Sequence, residues 1–144
     1  ENSHVIPGLI YRFHEAKIKN LSEISIWGTG KPNREFLYVD DMARAAVILM
    51  NIDKKIYYKK ISSRCSHINV GSSEELSIKQ LSERIKKVVG FRGKIKFDLT
   101  KPDGVHRKIL NSEKINYFGF KPKISFSEGI KRTYFQYRTH YVKF

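Results

Sequence analysis

Trp27-Gly-Thr-Gly-Lys-Pro-Asn-Arg34 brings two glycines, two cations and the only tryptophan of the chain into one short run. Gly28 and Gly30 let the backbone turn tightly where a Cβ would obstruct. Lys31 and Arg34 put positive charge on that loop, and an arginine fork matches phosphate oxygens better than the point charge of lysine. A loop of this kind suits an anionic ligand. Ordinary turns also carry Gly-x-Gly with cations, so the run indicates a chemistry without selecting a substrate. His14, His67, His106 and His140 have no metal-ligand spacing among them, and no metal is expected.

The elements that must position this loop follow from periodicity. An amphipathic helix is expected from about Val5 to Asn20, with Ile6, Leu9, Ile10 and Phe13 on one face and Ser3 as its N-cap. Pro7 is tolerated in the first turn. A strand Ile24–Trp27 leads into the glycine loop, and a short strand is expected around Glu35–Val39. Asp40 or Asp41 then opens a helix reaching about Ile52. Residues 53–65 read as a basic, exposed connector, and His67–Gly71 as a short buried strand. Ser77 caps a helix bearing Ile78, Leu81, Ile85 and Val88, which Gly90 ends. Lys94–Phe97 alternates as a strand does, and Lys101-Pro-Asp-Gly104 makes a turn. A short helix over Ser112–Phe118 and a last one, capped by Ser125 or Ser127 and running to about Tyr141, complete an α/β or α+β reading. Ile68 and Val70 call for buried neighbours that the chain hardly supplies, which points to part of a larger sheet.

The 144 residues can make a modest domain with its own core, and 40% hydrophobic content is that of a globular chain. Glu1 stands in place of an initiator methionine, the reading being a processed product or part of a longer protein. Residues 1–20 lack a basic start, an apolar run and a small-residue cleavage site, so no secretory leader is expected in them, and no apolar run approaches the ~18–20 residues of a membrane span. The single cysteine, Cys65, excludes an intramolecular disulfide, and a cytoplasmic location is expected. The formal charge of +14 is spread along the chain without one dense block, so most of the cations are expected on a solvated surface.

Five segments, in order, carry a resemblance: Asn2-Ser-His-Val-Ile-Pro7, Trp27-Gly-Thr-Gly30, Arg34-Glu-Phe-Leu-Tyr-Val-Asp-Asp41, Ser66-His-Ile-Asn-Val-Gly71, and Lys101-Pro-Asp-Gly104 with Arg107-Lys108. Together they resemble the C-terminal half of the GDP-L-fucose synthase family, extended short-chain dehydrogenase/reductases. The resemblance implies the substrate-binding part of an α/β enzyme, residues 1–144, whose Rossmann cofactor domain is largely absent. It also implies that residues 66–71 are a strand of that missing sheet. Enzymes of this family epimerise C3 and C5 of GDP-4-keto-6-deoxy-D-mannose and reduce the 4-keto group with NADPH.

The resemblance makes His4 one member of the acid/base pair, beside the nicotinamide end of NADP(H), work suited to an unperturbed pKa of ~6.5. It gives Arg12, Trp27, Arg34 and Asp103 to the GDP-sugar, with Arg34 at the diphosphate and Lys108 as a lesser phosphate contact. Read without it, His4 is a helix-entry histidine, Arg12 a solvated helix arginine and Asp103 a turn former. The chain departs from the family in carrying no Gly-x-x-Gly-x-x-Gly. Tyr117 and Lys121 have Tyr-x-x-x-Lys spacing in a region the family uses structurally, and Cys65 matches no family motif. The isolated chain is therefore expected to be inactive, and the homodimer of the family is not expected through it. Neither nucleic acid nor membrane is an expected partner. Within the enzyme class the alternative is another nucleotide-sugar epimerase or reductase; outside it, a small basic nucleic-acid-binding module.

Overall fold

The structure is a computed structural model and describes residues 4–62 and 64–140. Ser3, the expected cap of the first helix, and Tyr141, the expected end of the last, lie outside the described residues. In chain order the elements are α1 (Val5–Ile18), β1 (Glu23–Trp27), β2 (Asn33–Glu35), α2 (Val39–Met50), α3 (Lys54–Lys60), β3 (Glu75–Ser77), α4 (Ile78–Val89), β4 (Lys94–Asp98), β5 (Arg107–Lys108), α5 (Glu113–Tyr117) and α6 (Phe126–His140). They fall into two units, one of residues 1–34, 76–107 and 127–144, the other of residues 35–75 and 108–126.

In the first unit, helical spacing along α1 buries Leu9, Ile10, Phe13 and Ala16. His14 joins that stripe as its one titratable member, while Ile6 is only half-buried. His4 holds the N-cap position and accepts the Gly8 N–H on its carbonyl at 3.0 Å. The helix ends through Asn20, whose φ of 51° is the left-handed turn by which helices close. Strand β1 alternates, with Ile24 and Ile26 inward and Ser25 and Trp27 outward. It pairs in parallel with β4, from Glu23 against Lys94 to Trp27 against Asp98. Helix α4 begins in a reciprocal capping box between Ser77 and Gln80 and ends at Gly90, φ 76°. Its buried residues are Leu81, Ser82, Ile85 and Val89; Val88, expected on that side, is half-exposed. Helix α1 packs on α4 and β1, with the Phe13 and Phe91 rings 5.7 Å apart. Ile130 and Tyr134 of α6 are buried as well.

The three short strands β2, β3 and β5 form a second sheet in the order β3-β2-β5. The expected strand around Glu35–Val39 thus ends early, because Val39 already belongs to α2.

In the second unit, α2 is capped by Tyr38 rather than by either aspartate. Asp41 is instead buried, where its carboxylate accepts the backbone N–H groups of Lys123 and Ile124 and a bond from Arg44. The basic stretch 53–65 is exposed at its lysines as expected, but it contains a helix, α3, that the connector reading omits. Asp53 caps it by accepting from the N–H groups of Lys55 and Ile56 at 2.8 and 3.3 Å. Residues 66–71 are not a strand here: among the described residues none offers them a ladder partner. Ile68 and Val70 do find apolar neighbours, packing half-buried against Ala45, Ile115 and Phe120. No helix of the described residues is long and apolar enough to cross a membrane.

Candidate functional site

The first unit holds a cavity of about 430 Å3. Four segments wall it: the first two turns of α1, the end of β1 with the glycine loop, the start of α4, and the 102–104 turn. His4, Arg12, Trp27, Arg34 and Asp103 all line it, so residues spread from position 4 to position 103 converge on one space. Leu9, Ile26, Pro32, Ile78 and Pro102 give it an apolar floor.

Each polar side chain has an identifiable support. His4 is exposed at the entrance of α1, and Arg12 lies two helical turns further along. Arg12 is half-buried and its guanidinium donates to the carbonyl of Ser25 in β1, which ties the helix to the strand rather than pairing it with Glu15. Glu15 pairs with Lys19 instead, at 2.9 Å. Alternation in β1 turns Trp27 outward, 67% exposed, so the ring is not core packing; the Lys101 ammonium stands 5.7 Å from its centre. Arg34, in β2, donates through one nitrogen to the carbonyls of Asn33 and Val105, each at 2.7 Å. The rest of its fork is free of those two bonds and borders the cavity.

Asp103 is occupied more fully than sequence indicates. Its Oδ1 accepts the Thr29 N–H at 2.8 Å and its Oδ2 accepts the Thr29 hydroxyl at 2.6 Å. The Thr29 hydroxyl, then its N–H, hold the Asp103 carboxyl below its ordinary range, with Lys31 and His106 adding positive charge. Gly28 explains how the carboxylate comes so close: a Cβ there would lie 2.1 Å from Oδ1, and its φ is +77°. Gly30, φ +73°, is needed for a like reason, since a Cβ would meet the Phe97 ring at 2.4 Å. The two glycines of the loop thus serve contact with the Asp103 and Phe97 side chains as well as the turn itself. Lys108 is exposed in β5 and is not among the cavity residues.

Sequence reasoning overlooks Thr29 and Lys101. The sign for Thr29 is its place between two glycines, which leaves one side chain to fix the loop. Lys101 carries no such sign, because its contact with Trp27 exists only after β1 and β4 pair.

Chemically, the cavity offers two guanidinium groups, one carboxylate, one imidazole and one broad aromatic face. That set suits a ligand with an anionic end and a hydroxyl-bearing body. Residues 1–71 match the NAD dependent epimerase/dehydratase family. Together with the α/β architecture, this likens the chain to part of an extended short-chain dehydrogenase/reductase.

Among curated relatives, it is 52% identical to a probable GDP-L-fucose synthase 1 of Oryza sativa subsp. japonica, over 93% of this chain and 38% of that protein. It is 43% identical to the GDP-L-fucose synthase of Escherichia coli (strain K12), over 92% of this chain and 41% of that one. The chain therefore spans about two fifths of the length of these relatives. A solved GDP-mannoheptose C4 reductase from Campylobacter jejuni with NADP bound superposes with a TM-score of 0.79 at 35% identity, covering 96% of this chain and 46% of that one.

Proposed function

We propose that the chain is the substrate-binding part of an NADP-dependent GDP-L-fucose synthase, which turns GDP-4-keto-6-deoxy-D-mannose into GDP-L-fucose. The observation that carries this reading is the convergence of His4, Arg12, Trp27, Arg34 and Asp103 on one cavity. It is supported by the synthases among the relatives.

In this reading Arg34 takes the diphosphate, because a guanidinium fork presents paired donors to phosphate oxygens. Trp27 covers an apolar side of the ligand. Arg12 and Asp103 meet the sugar and nucleotide hydroxyls, Asp103 through lone pairs that Thr29 leaves open. The protons at C3 and C5 flank the C4 ketone and are acidified by it. His4 removes or returns one of them from its side of the ring, and a second group outside this chain serves the opposite side.

NADPH supplies the hydride that reduces the ketone. The sequence has no dinucleotide glycine motif, so this chain contributes little more than the exposed imidazole of His4 to the cofactor. The remainder of the cofactor site belongs to an upstream Rossmann part of a longer protein. Two features favour such a part. Residues 66–71 would add a strand to its sheet, and α2 turns Met42, Val47 and Met50 outward, an apolar face that a folded neighbour would cover.

The test begins with the coding DNA upstream of Glu1, read in frame. A Gly-x-x-Gly-x-x-Gly and a later Tyr-x-x-x-Lys are expected, and the resulting chain should oxidise NADPH with GDP-4-keto-6-deoxy-D-mannose. Replacing His4 by Asn should then lower kcat by about a hundredfold or more. The 144-residue chain alone should show no NADPH oxidation; turnover by it would refute the division of labour. A second reading, a reductase of another GDP-sugar, draws on the Campylobacter neighbour, and product analysis of the same reaction separates the two.

A further inference from the structure

The 98–105 loop touches the glycine loop at three levels. At the base, the Gly28 N–H donates to the Asp98 carbonyl at 2.9 Å. Above it, both donors of Thr29 are taken by the two oxygens of Asp103. At the rim, the Lys101 ammonium faces the Trp27 ring. Only the middle contact is a paired, charge-assisted one, and such bonds are roughly twice as strong as neutral ones.

Beyond Asp103 the chain of contacts continues. Two residues on, the Val105 carbonyl accepts from Arg34, and Gly104 lies so near the guanidinium that a Cβ on it would stand 3.2 Å from the second nitrogen. The Asn33 N–H closes the same turn on the His106 carbonyl at 2.8 Å. The direction in which Arg34 points is therefore set by a backbone turn, and Asp103 pins that turn at its tip. Thr29 holds Asp103. Its hydroxyl is also bound, accepting the Lys31 N–H at 3.2 Å, so its rotamer is fixed from both sides.

We infer that Thr29 is a positioning residue for the anion-binding arginine: by clasping Asp103 it fixes the 101–105 turn, and the turn holds Arg34 to face the cavity. This rests on the reading of the cavity as a nucleotide-diphosphate site and adds to it the element that keeps Arg34 in place. It also gives Asp103 two duties. A carboxylate in a site for a diphosphate would repel its ligand; tied to Thr29, its charge is held by two donors and by the loop. Arginine placed in advance loses less freedom on binding, which raises affinity without a new contact.

The experiment compares Thr29→Val, which keeps the shape and loses the hydroxyl, with Thr29→Ser, which keeps the hydroxyl, in this chain. Three quantities are read: amide hydrogen exchange over residues 101–105, titration of the Asp103 carboxyl by NMR, and affinity for GDP as the probe. Thr29→Val should speed exchange in the turn about tenfold and raise the Asp103 titration toward the ordinary carboxylate range. It should also weaken GDP about tenfold, the loss expected for one hydrogen bond to a charged group. Thr29→Ser should restore all three. Unchanged exchange and unchanged GDP affinity in Thr29→Val would overturn the inference, as would a Thr29→Ser variant that behaves like Thr29→Val. If the unaltered chain does not bind GDP, the diphosphate reading fails at that step. The clasp is then decided by whether exchange and titration respond to Thr29→Val and recover in Thr29→Ser.

Discussion

The Nδ1 of His14 lies 3.0 Å from the hydroxyl of Tyr134, joining α1 to α6 inside the first unit. The imidazole edge meets the Tyr137 ring as well, with ring centres 5.3 Å apart. Its other nitrogen is buried without a hydrogen-bond partner among the described residues. An imidazole in this setting is kept neutral, because a proton on the second nitrogen would have no acceptor.

That relationship predicts a loss of stability toward acid. Burial lowers the pKa of His14, Glu15 pulls it back up in part, and Lys17 and Arg138 lower it further. The folded value is thus below the ordinary one of about 6.5, and the unfolded chain takes up the proton first as pH falls. The contribution is complete above about pH 6.5 and is lost progressively below it. Thermal unfolding should therefore show a midpoint at pH 5.5 below that at pH 7.5. In His14→Phe this drop should shrink; an undiminished drop would assign the effect to other groups.

Asp41 anchors the second unit by accepting from the Lys123 and Ile124 N–H groups at 3.0 and 2.9 Å and from Arg44 at 2.5 Å. Burial alone would raise its pKa, but the bond from Arg44, the two backbone bonds and the arginine charge prevail, and the net shift is downward. Replacing it by Ala leaves two backbone donors without their acceptor and takes the carboxylate from the half-buried Arg44 guanidinium, which keeps the Lys121 carbonyl at 2.7 Å. A destabilisation of about 3 kcal/mol is expected in denaturant unfolding. Asp40→Ala, at an exposed position next to it, should cost under about 1 kcal/mol.

Trp27 is the only tryptophan and stands at the rim of the cavity, so its emission reports what fills that space. Titration with GDP should give a saturable change in intensity or wavelength. Arg34→Met should shift the midpoint to about tenfold higher GDP or more, since a bidentate charge-assisted contact is removed. A midpoint unmoved by Arg34→Met would place the diphosphate elsewhere.

Ser77 accepts the Gln80 N–H at 3.1 Å while Gln80 accepts the Ser77 N–H at 2.9 Å. Helix α4 supplies the buried Leu81, Ile85 and Val89, so a loosened first turn is felt by the core of the first unit. Ser77→Ala should destabilise the chain by about 1 kcal/mol in thermal or urea unfolding.

Local grammar was enough for a good part of this protein. The apolar stripe of α1, the alternation of β1 and β4 and the Ser77 cap with the Gly90 stop each depend on neighbours within a few residues, so they are legible in sequence. The Asp53 cap of α3 was equally local, but lysine-rich composition hides a short helix whose apolar face is thin. The pair Asp40-Asp41 shows where local reasoning fails. Both aspartates suit a helix start, and only the approach of residues 123–124 turns Asp41 into a buried anchor. His14 is similar, since nothing in α1 foretells that Tyr134 will meet it 120 positions later. In the cavity, the types and spacing of Trp27, Gly28, Gly30 and Arg34 declare an anion-binding loop. Tertiary structure decides that Asp103 arrives opposite Thr29, that Val105 aims Arg34, and that His4 and Arg12 share the space. Pairing of β1 with β4 sets those distances, and pairing is a contact between segments some seventy residues apart that no local pattern encodes.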